Sequence, residues 1–155
     1  MTIEGELDET SRTILTALQR DGRVAFSELG RRVGLSAPAV AERVHRMEHN
    51  GLITGYRALV DRDRLGWPIT AFMRVTCPGD KYQAVRRLAL DLPEVIDCHH
   101  VTGEECFFIK IAVGSVGELE SVIDRFRELG KTVSSVALSR IVEDKPPAVR
   151  ARSSH

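Results

Sequence analysis

Residues 34–53, GLSAPAVAERVHRMEHNGLI, restrict the fold more than any other stretch, because they hold a helix start, a helix stop and one apolar stripe. Ser36 supplies an N-cap hydroxyl, and Pro38 falls in the first turn, where no intrahelical donor is required. Val40, Val44 and Met47 recur at i, i+4 and i+7, and Asn50-Gly51 stops the helix. Gly34 closes a shorter helix over about 26–33, which has Glu28 in its first turn and Phe26, Leu29 and Val33 on one side. A first helix over 8–19 begins at Asp8, aligns Ile14, Leu15 and Leu18, and stops at Asp21-Gly22. Three helices joined by turns of three or four residues form a helix-turn-helix unit.

If the Val40/Val44/Met47 stripe faces helices one and two, then Pro38, Ala39, Glu42, Arg46 and His49 face outward, with Arg43 on the flank. The leading end, Ser36 to Ala39, is slim. A helix that enters a major groove needs such an end, with polar groups behind it that reach base edges or phosphates. Ser36 and the first-turn amides suit a phosphate. Arg43 and Arg46 suit guanine edges or backbone, and Arg23, Arg31 and Arg32 suit flanking phosphates. Glu42 can accept from a cytosine amine or hold Arg46 through an i, i+4 pair. The same pattern also occurs on helices that only face water. The whole chain is neutral, with 22 basic and 22 acidic residues. Between Gly22 and Arg57, however, six arginines stand against three glutamates, so a basic face is hidden in the average.

After the charged stretch DRDRLG (61–66) the rhythm changes to a period of two. Ile69, Ala71, Met73 and Val75 alternate as in a strand. Tyr82, Val85, Leu88, Ala89 and Leu92 mark a helix. Residues 95–102 and 106–113 form a hairpin about Gly103-Glu104. Val116, Leu119, Ile123 and Phe126 mark a second helix, and 132–142 a last strand. The order β-α-β-β-α-β is the ferredoxin-like arrangement. The expected class is therefore α+β, with residues 1–52 as a DNA-binding domain and 53–66 as a linker strand. Residues 67–143 form the second domain, and 144–155 a disordered tail. A four-stranded sheet with helices on one face leaves its other face to bury, so some of Phe72, Phe107 and Phe108 should meet a partner subunit. Trp67 should pack where the linker meets the first strand.

No apolar run approaches the length of a membrane span, and the acidic start MTIEGELDET lacks a signal region, which points to the cytoplasm. Cys77, Cys98 and Cys106 are odd in number and include no CxxC, which excludes a disulfide framework. No Ser/His/Asp set, phosphate loop or carboxylate pair has catalytic spacing, so no enzyme and no cofactor are expected.

The strings LDETSRTILTALQRDGR (7–23), SELGRRVGLSAPAVAERVHRMEHNGLITGY (27–56) and VTGEE (101–105) resemble the Lrp/AsnC (feast/famine) transcription regulators over about residues 7–142. The resemblance implies a winged helix-turn-helix followed by a ferredoxin-like (RAM/ACT-like) domain that senses a small effector, often an amino acid. It implies pairing through the C-terminal sheets and assembly toward octamers. Helix three becomes the recognition helix, with Ser36, Pro38, Glu42, Arg43 and Arg46 facing double-stranded DNA. Dimeric binding then requires half-sites about one helical turn, ~34 Å, or a multiple apart.

In that family the effector lies near the hairpin between the second and third C-terminal strands, which usually reads TG-D-Y-D-Y. Here Thr102-Gly103-Glu104-Glu105-Cys106-Phe107 occupies it. Glu104 keeps the first acid and suits a ligand ammonium, and Gly103 keeps the turn and offers amides. Glu105 replaces the aromatic residue and Cys106 the second acid. Thr132 and Ser134 are placed at the same site by the resemblance. Ser11 and Thr10 depart from the usual Asp and apolar residues of helix one. Cys98, His100 and Cys106 also allow a metal- or thiol-sensing variant, with Cys106 nearly opposite His100, although cysteine is often plain core. A DNA-compacting architectural protein without a ligand is the other alternative, permitted by the small leading face of helix three.

Overall fold

The computed structural model describes residues 7–149, which divide into two compact units, residues 7–59 with 142–149 and residues 60–141. The first unit has three helices, α1 (Glu9–Arg20), α2 (Phe26–Val33) and α3 (Ala37–His49). The Asp8 carboxylate accepts the Ser11 N–H at 2.7 Å at the start of α1, and Ser36 Oγ accepts the Ala39 N–H at 3.3 Å at the start of α3. Gly34 ends α2 at φ 71°, a left-handed conformation that glycine adopts without penalty. Ile14, Leu18, Leu29, Val40, Val44 and Met47 are buried together, so the α3 stripe faces the other two helices as its spacing requires.

A lid of side chains fixes the exit from α3. The Tyr56 hydroxyl donates to Glu48 at 2.9 Å, and its ring lies against Gly22. Burial first, and then the Glu48 carboxylate, push the Tyr56 phenol up to about 12.

Two expectations for the connecting segments need correction. Residues 53–66 contain no strand, and among the described residues 54–60 join no backbone–backbone hydrogen bond. An extended segment becomes a strand only by pairing, and this one makes no ladder with any described residue. The tail is irregular over 144–149 but is held on the first unit. Gln19 Nε2 donates to the Pro147 carbonyl at 3.1 Å, Arg57 pairs with Asp144 at 2.6 Å, and Pro147–Val149 line a cavity of about 430 Å³ with Leu7, Leu15, Leu18 and Tyr56. Residues 1–6 and 150–155, which the expected domain ends include, lie outside the described residues.

The second unit follows the predicted order: β1 (Ile69–Thr76), a 3-10 turn at Gly79–Lys81, α4 (Tyr82–Asp91), β2 (Val95–His100), β3 (Phe107–Val113), α5 (Val116–Arg127) and β4 (Lys131–Val136). The sheet order is β2-β3-β1-β4, and every pair is antiparallel. Ala71, Met73, Val75, Phe107, Ile109 and Ile111 face the helices and are buried with Val85, Leu119, Val122 and Phe126. The opposite face exposes Phe72 (50%), Phe108 (44%) and Val133 (42%). The last strand stops at Val136 rather than at 142. Leu138, Ile141 and Val142 beyond it are exposed and have no sheet partner.

Gly30 packs its Cα against the turn before α3, where an added Cβ would collide with the Leu35 carbonyl. Gly30→Ala should therefore destabilise the first unit by about 1–3 kcal/mol despite the better helix propensity of alanine. Urea unfolding checks this: a midpoint at or above that of the parent chain contradicts the packing described.

Candidate DNA-reading face and effector hairpin

Burial of the α3 stripe leaves Pro38, Glu42, Arg46 and His49 exposed and Ala39 half-buried along the other side. Arg46 Nε and Glu42 Oε1 are 4.0 Å apart and both side chains are largely exposed, so the i, i+4 pair is loose and Arg46 can leave it. Ser36 Oγ is engaged as a cap acceptor, while its O–H can still donate. The Arg23 guanidinium has no partner among the described residues, while its backbone N–H binds Asp21 at 2.9 Å. Arg31 and Arg32 both pair with Glu28, which compensates half of their charge.

Arg43, expected on the flank of this face, is half-buried there. Its Nη1 donates to Asp8 Oδ2 at 2.6 Å and to Ser11 Oγ at 2.9 Å. The guanidinium thus ties α3 to the cap of α1. This also accounts for Ser11 where the family usually has Asp: the buried hydroxyl accepts from Arg43 beside the Asp8 charge. The Ser11 backbone N–H, the Ser11 side chain and Arg43, in that order, hold the Asp8 carboxyl down from 3.8 to about 2.

At the hairpin, strand pairing runs His100↔Phe107, and Val101 N–H binds the Cys106 carbonyl at 2.9 Å. The loop is therefore Thr102–Glu105, four residues, and not a two-residue turn. Gly103 sits at φ 121°, outside the range comfortable for a side chain. Glu104 is exposed and has no partner among the described residues. Glu105 is not free, since Arg74 Nη1 donates to it at 3.0 Å.

Cys106 turns inward. Its N–H binds the Val75 carbonyl at 2.9 Å, while Phe107, the first residue of β3, holds the register position opposite Val75, so Cys106 and Phe107 together oppose one residue of β1. A bulge of this kind puts neighbouring side chains on one face, and both Cys106 and Phe107 are buried. Strict alternation, which the sequence suggests, misses it. Cys106 Sγ lies 3.4 Å from the Cys77 carbonyl and 3.3 Å from the Tyr82 hydroxyl. The Tyr82, His100 and Phe107 rings cluster beside it, with centroids 5.0 to 5.7 Å apart.

Thr132 lies opposite Val75, and Ser134 opposite Met73, on the edge strand. Thr132 and Cys106 thus flank Val75 from its two sides, whereas Ser134 is one step further away. Cys98 is half-buried opposite Ile109. The expected Cys98/His100/Cys106 trio does not assemble: among the described residues no group of three His, Cys, Asp or Glu could hold a metal ion. No helix among them is long and apolar enough to cross a membrane.

A capped three-helix unit with a polar face on its third helix, joined to a ferredoxin-like unit, defines a DNA-binding regulator with a ligand-binding domain. Comparison with known proteins gives the family. An AsnC-type helix-turn-helix domain matches residues 7–48, and an Lrp/AsnC ligand binding domain matches residues 70–147. The chain belongs to the Lrp/AsnC family of transcription regulators. It is 35% identical over 145 residues to the HTH-type transcriptional regulator Rv2324 of Mycobacterium tuberculosis, covering 91% of this chain and 98% of that one. Its fold matches Bacillus subtilis LrpC with a TM-score of 0.83, at 31% identity and over 89% of this chain and 99% of that one. It also matches the feast or famine regulatory protein Rv3291c of M. tuberculosis, complexed with L-methionine, with a TM-score of 0.81 at 31% identity and over 92% and 99% of the two chains. These relatives are regulators and not enzymes.

The Asp8 cap generates a prediction. A carboxyl whose folded value is depressed adds stability above its unfolded value, and that stability is lost as pH falls through the folded one. Asp8→Asn keeps a good cap but removes the charge. The stability advantage of the parent chain over Asp8→Asn should therefore be full above pH 3.8 and vanish on approach to about pH 2. Paired denaturant titrations across that interval measure it, and a constant difference contradicts the Asp8–Ser11–Arg43 linkage.

Proposed function

We propose that α3 reads an operator through Pro38, Ala39, Glu42 and Arg46, with Ser36 and Arg23 on phosphates and Arg43 holding the helix at its angle to α1. The observation that carries this reading is the outward side of α3: a slim capped end followed by one loosely paired arginine, over a stripe that is entirely buried. Arg46→Ala is expected to weaken operator binding by about 1–3 kcal/mol if it reads a base, and Arg23→Ala to lower the salt slope by about 1 with little change in sequence preference. Fluorescence anisotropy on operator and random duplexes across a salt series tests both. Equal affinity for the two duplexes at every salt concentration favours the architectural alternative.

The second unit takes a small effector, an amino acid, at the 102–105 loop, and binding there shifts an equilibrium between assembly states. Support comes from the unpartnered Glu104 carboxylate, which suits an ammonium group, and from the related Rv3291c, which is described in complex with L-methionine. The loop is open in the single chain, and Phe72, Phe108 and Val133 leave the sheet face uncovered. A second copy seated on that face forms a dimer, higher assembly leads to octamers, and the ligand is enclosed between subunits. A thermal-shift screen of the twenty amino acids should raise the melting temperature of the parent chain and not of Glu104→Ala. Phe108→Glu should reduce the mass measured by sedimentation. No shift with any amino acid in the parent chain removes the effector reading.

A further inference from the structure

Two of the three cysteines lie side by side beneath the hairpin. The chain leaves β1 at Thr76, and Cys77 turns toward the helices before Pro78. The β3 bulge brings Cys106 to the same place, where its sulfur lies 3.4 Å from the Cys77 carbonyl, and both cysteines are buried in one cluster with Val75 and Phe107. Gly130 packs against Cys77, with no room for a Cβ beside that of the cysteine. The pair is covered but shallow, because Cys106 directly follows the exposed loop residues Thr102–Glu104. Neither thiol is in a disulfide. Cys98 stands apart on β2, opposite Ile109.

We propose that Cys77 and Cys106 are a modification site for hydroperoxides, a dithiol that oxidises to a disulfide and so locks the base of the 102–105 loop.

The two sulfurs are not equivalent. The Cys77 backbone and the Tyr82 hydroxyl hold the Cys106 thiol below the usual range, whereas burial, and then Cys106 itself, push Cys77 up to about 11. Cys106, which adjoins the exposed loop, is the sulfur assigned to attack. With hydrogen peroxide, its thiolate attacks one peroxide oxygen, the O–O bond breaks, and hydroxide leaves (an alkoxide from an organic hydroperoxide), so Cys106 becomes a sulfenic acid. The Cys77 sulfur then attacks the Cys106 sulfur, the S–O bond breaks, and a second hydroxide leaves. The two thiol protons convert both hydroxides to water. Two thiols are oxidised by two electrons, one hydroperoxide is reduced, and for hydrogen peroxide the products are the disulfide and two waters.

The cross-link removes the sulfur partner of the Tyr82 hydroxyl at the start of α4. It also fixes the residue from which the Gly103–Glu105 segment departs. Its effect on sensing rests on the proposed effector role of that loop, but its formation does not.

The full-length reduced protein is treated with a small excess of hydrogen peroxide, quenched with iodoacetamide and mapped by mass spectrometry without reductant. A peptide pair joined through Cys77 and Cys106, with Cys98 alkylated, is expected. The link should reverse with dithiothreitol, persist in Cys98→Ser and be absent from Cys106→Ser. Three alkylated cysteines after treatment, a link through Cys98, or a sulfinate on Cys106 without a link overturns the proposal. None of these readings on the parent chain depends on a variant folding. The amino-acid thermal shift is then compared before and after oxidation. A several-fold change in half-saturation is expected, and an unchanged value overturns control of the loop. No shift in the reduced protein either is a failure of the effector reading alone, with the dithiol still judged by the cross-link.

Discussion

Burial of one apolar stripe organises the DNA-binding unit. Val40, Val44 and Met47 reach Ile14, Leu18 and Leu29 only if α3 is rotated to one setting about its axis. That setting decides which side chains remain for a duplex. It also carries Arg43 to the start of α1, where Asp8 and Ser11 receive it. The guanidinium then resists slippage of α3 along α1, because sliding by a turn would leave the Asp8 charge uncompensated.

In the second unit the equivalent constraint is the pairing of β1 on both sides. Met73 and Val75 have β3 and β4 as neighbours, so the face under α4 and α5 closes completely. The other face, with Phe72, Phe108 and Val133, has no helices over it. The bulge at the start of β3 adds an inward side chain at the rim of this closed face. In a regular ladder residue 106 would point the other way, toward Arg74 and Glu105, and an acid there would share their surroundings. The inward placement instead suits a small, weakly polar group such as a thiol.

The elements were legible wherever local periodicity and caps agreed. Asp8, Ser36, Gly34 and the i, i+4, i+7 stripe locate the three helices to within a residue or two, because each signal acts within one turn of chain. Alternation located the strands, but not their ends, since exposed Leu138, Ile141 and Val142 continue the apolar run without a ladder. The candidate site was less legible. Arg43 and Asp8 are 35 positions apart and Cys77 and Cys106 are 29 apart, and no local rule pairs them. The Cys106 bulge breaks the very alternation on which the reading of the hairpin relied. Cys77, lying past the end of its strand, carried no signal beyond being a cysteine.

The path of the backbone through the two units has one more consequence. The DNA-binding unit consists of residues before position 60 together with residues after position 141, so the intervening unit is an insertion between two pieces of one body. A gene fragment that ends at residue 59 would lack Asp144, Pro147 and Val149, leaving Arg57 and Gln19 without the contacts made here. Excising the insertion and rejoining the two pieces with a short linker is the more natural way to obtain a free-standing reader of DNA.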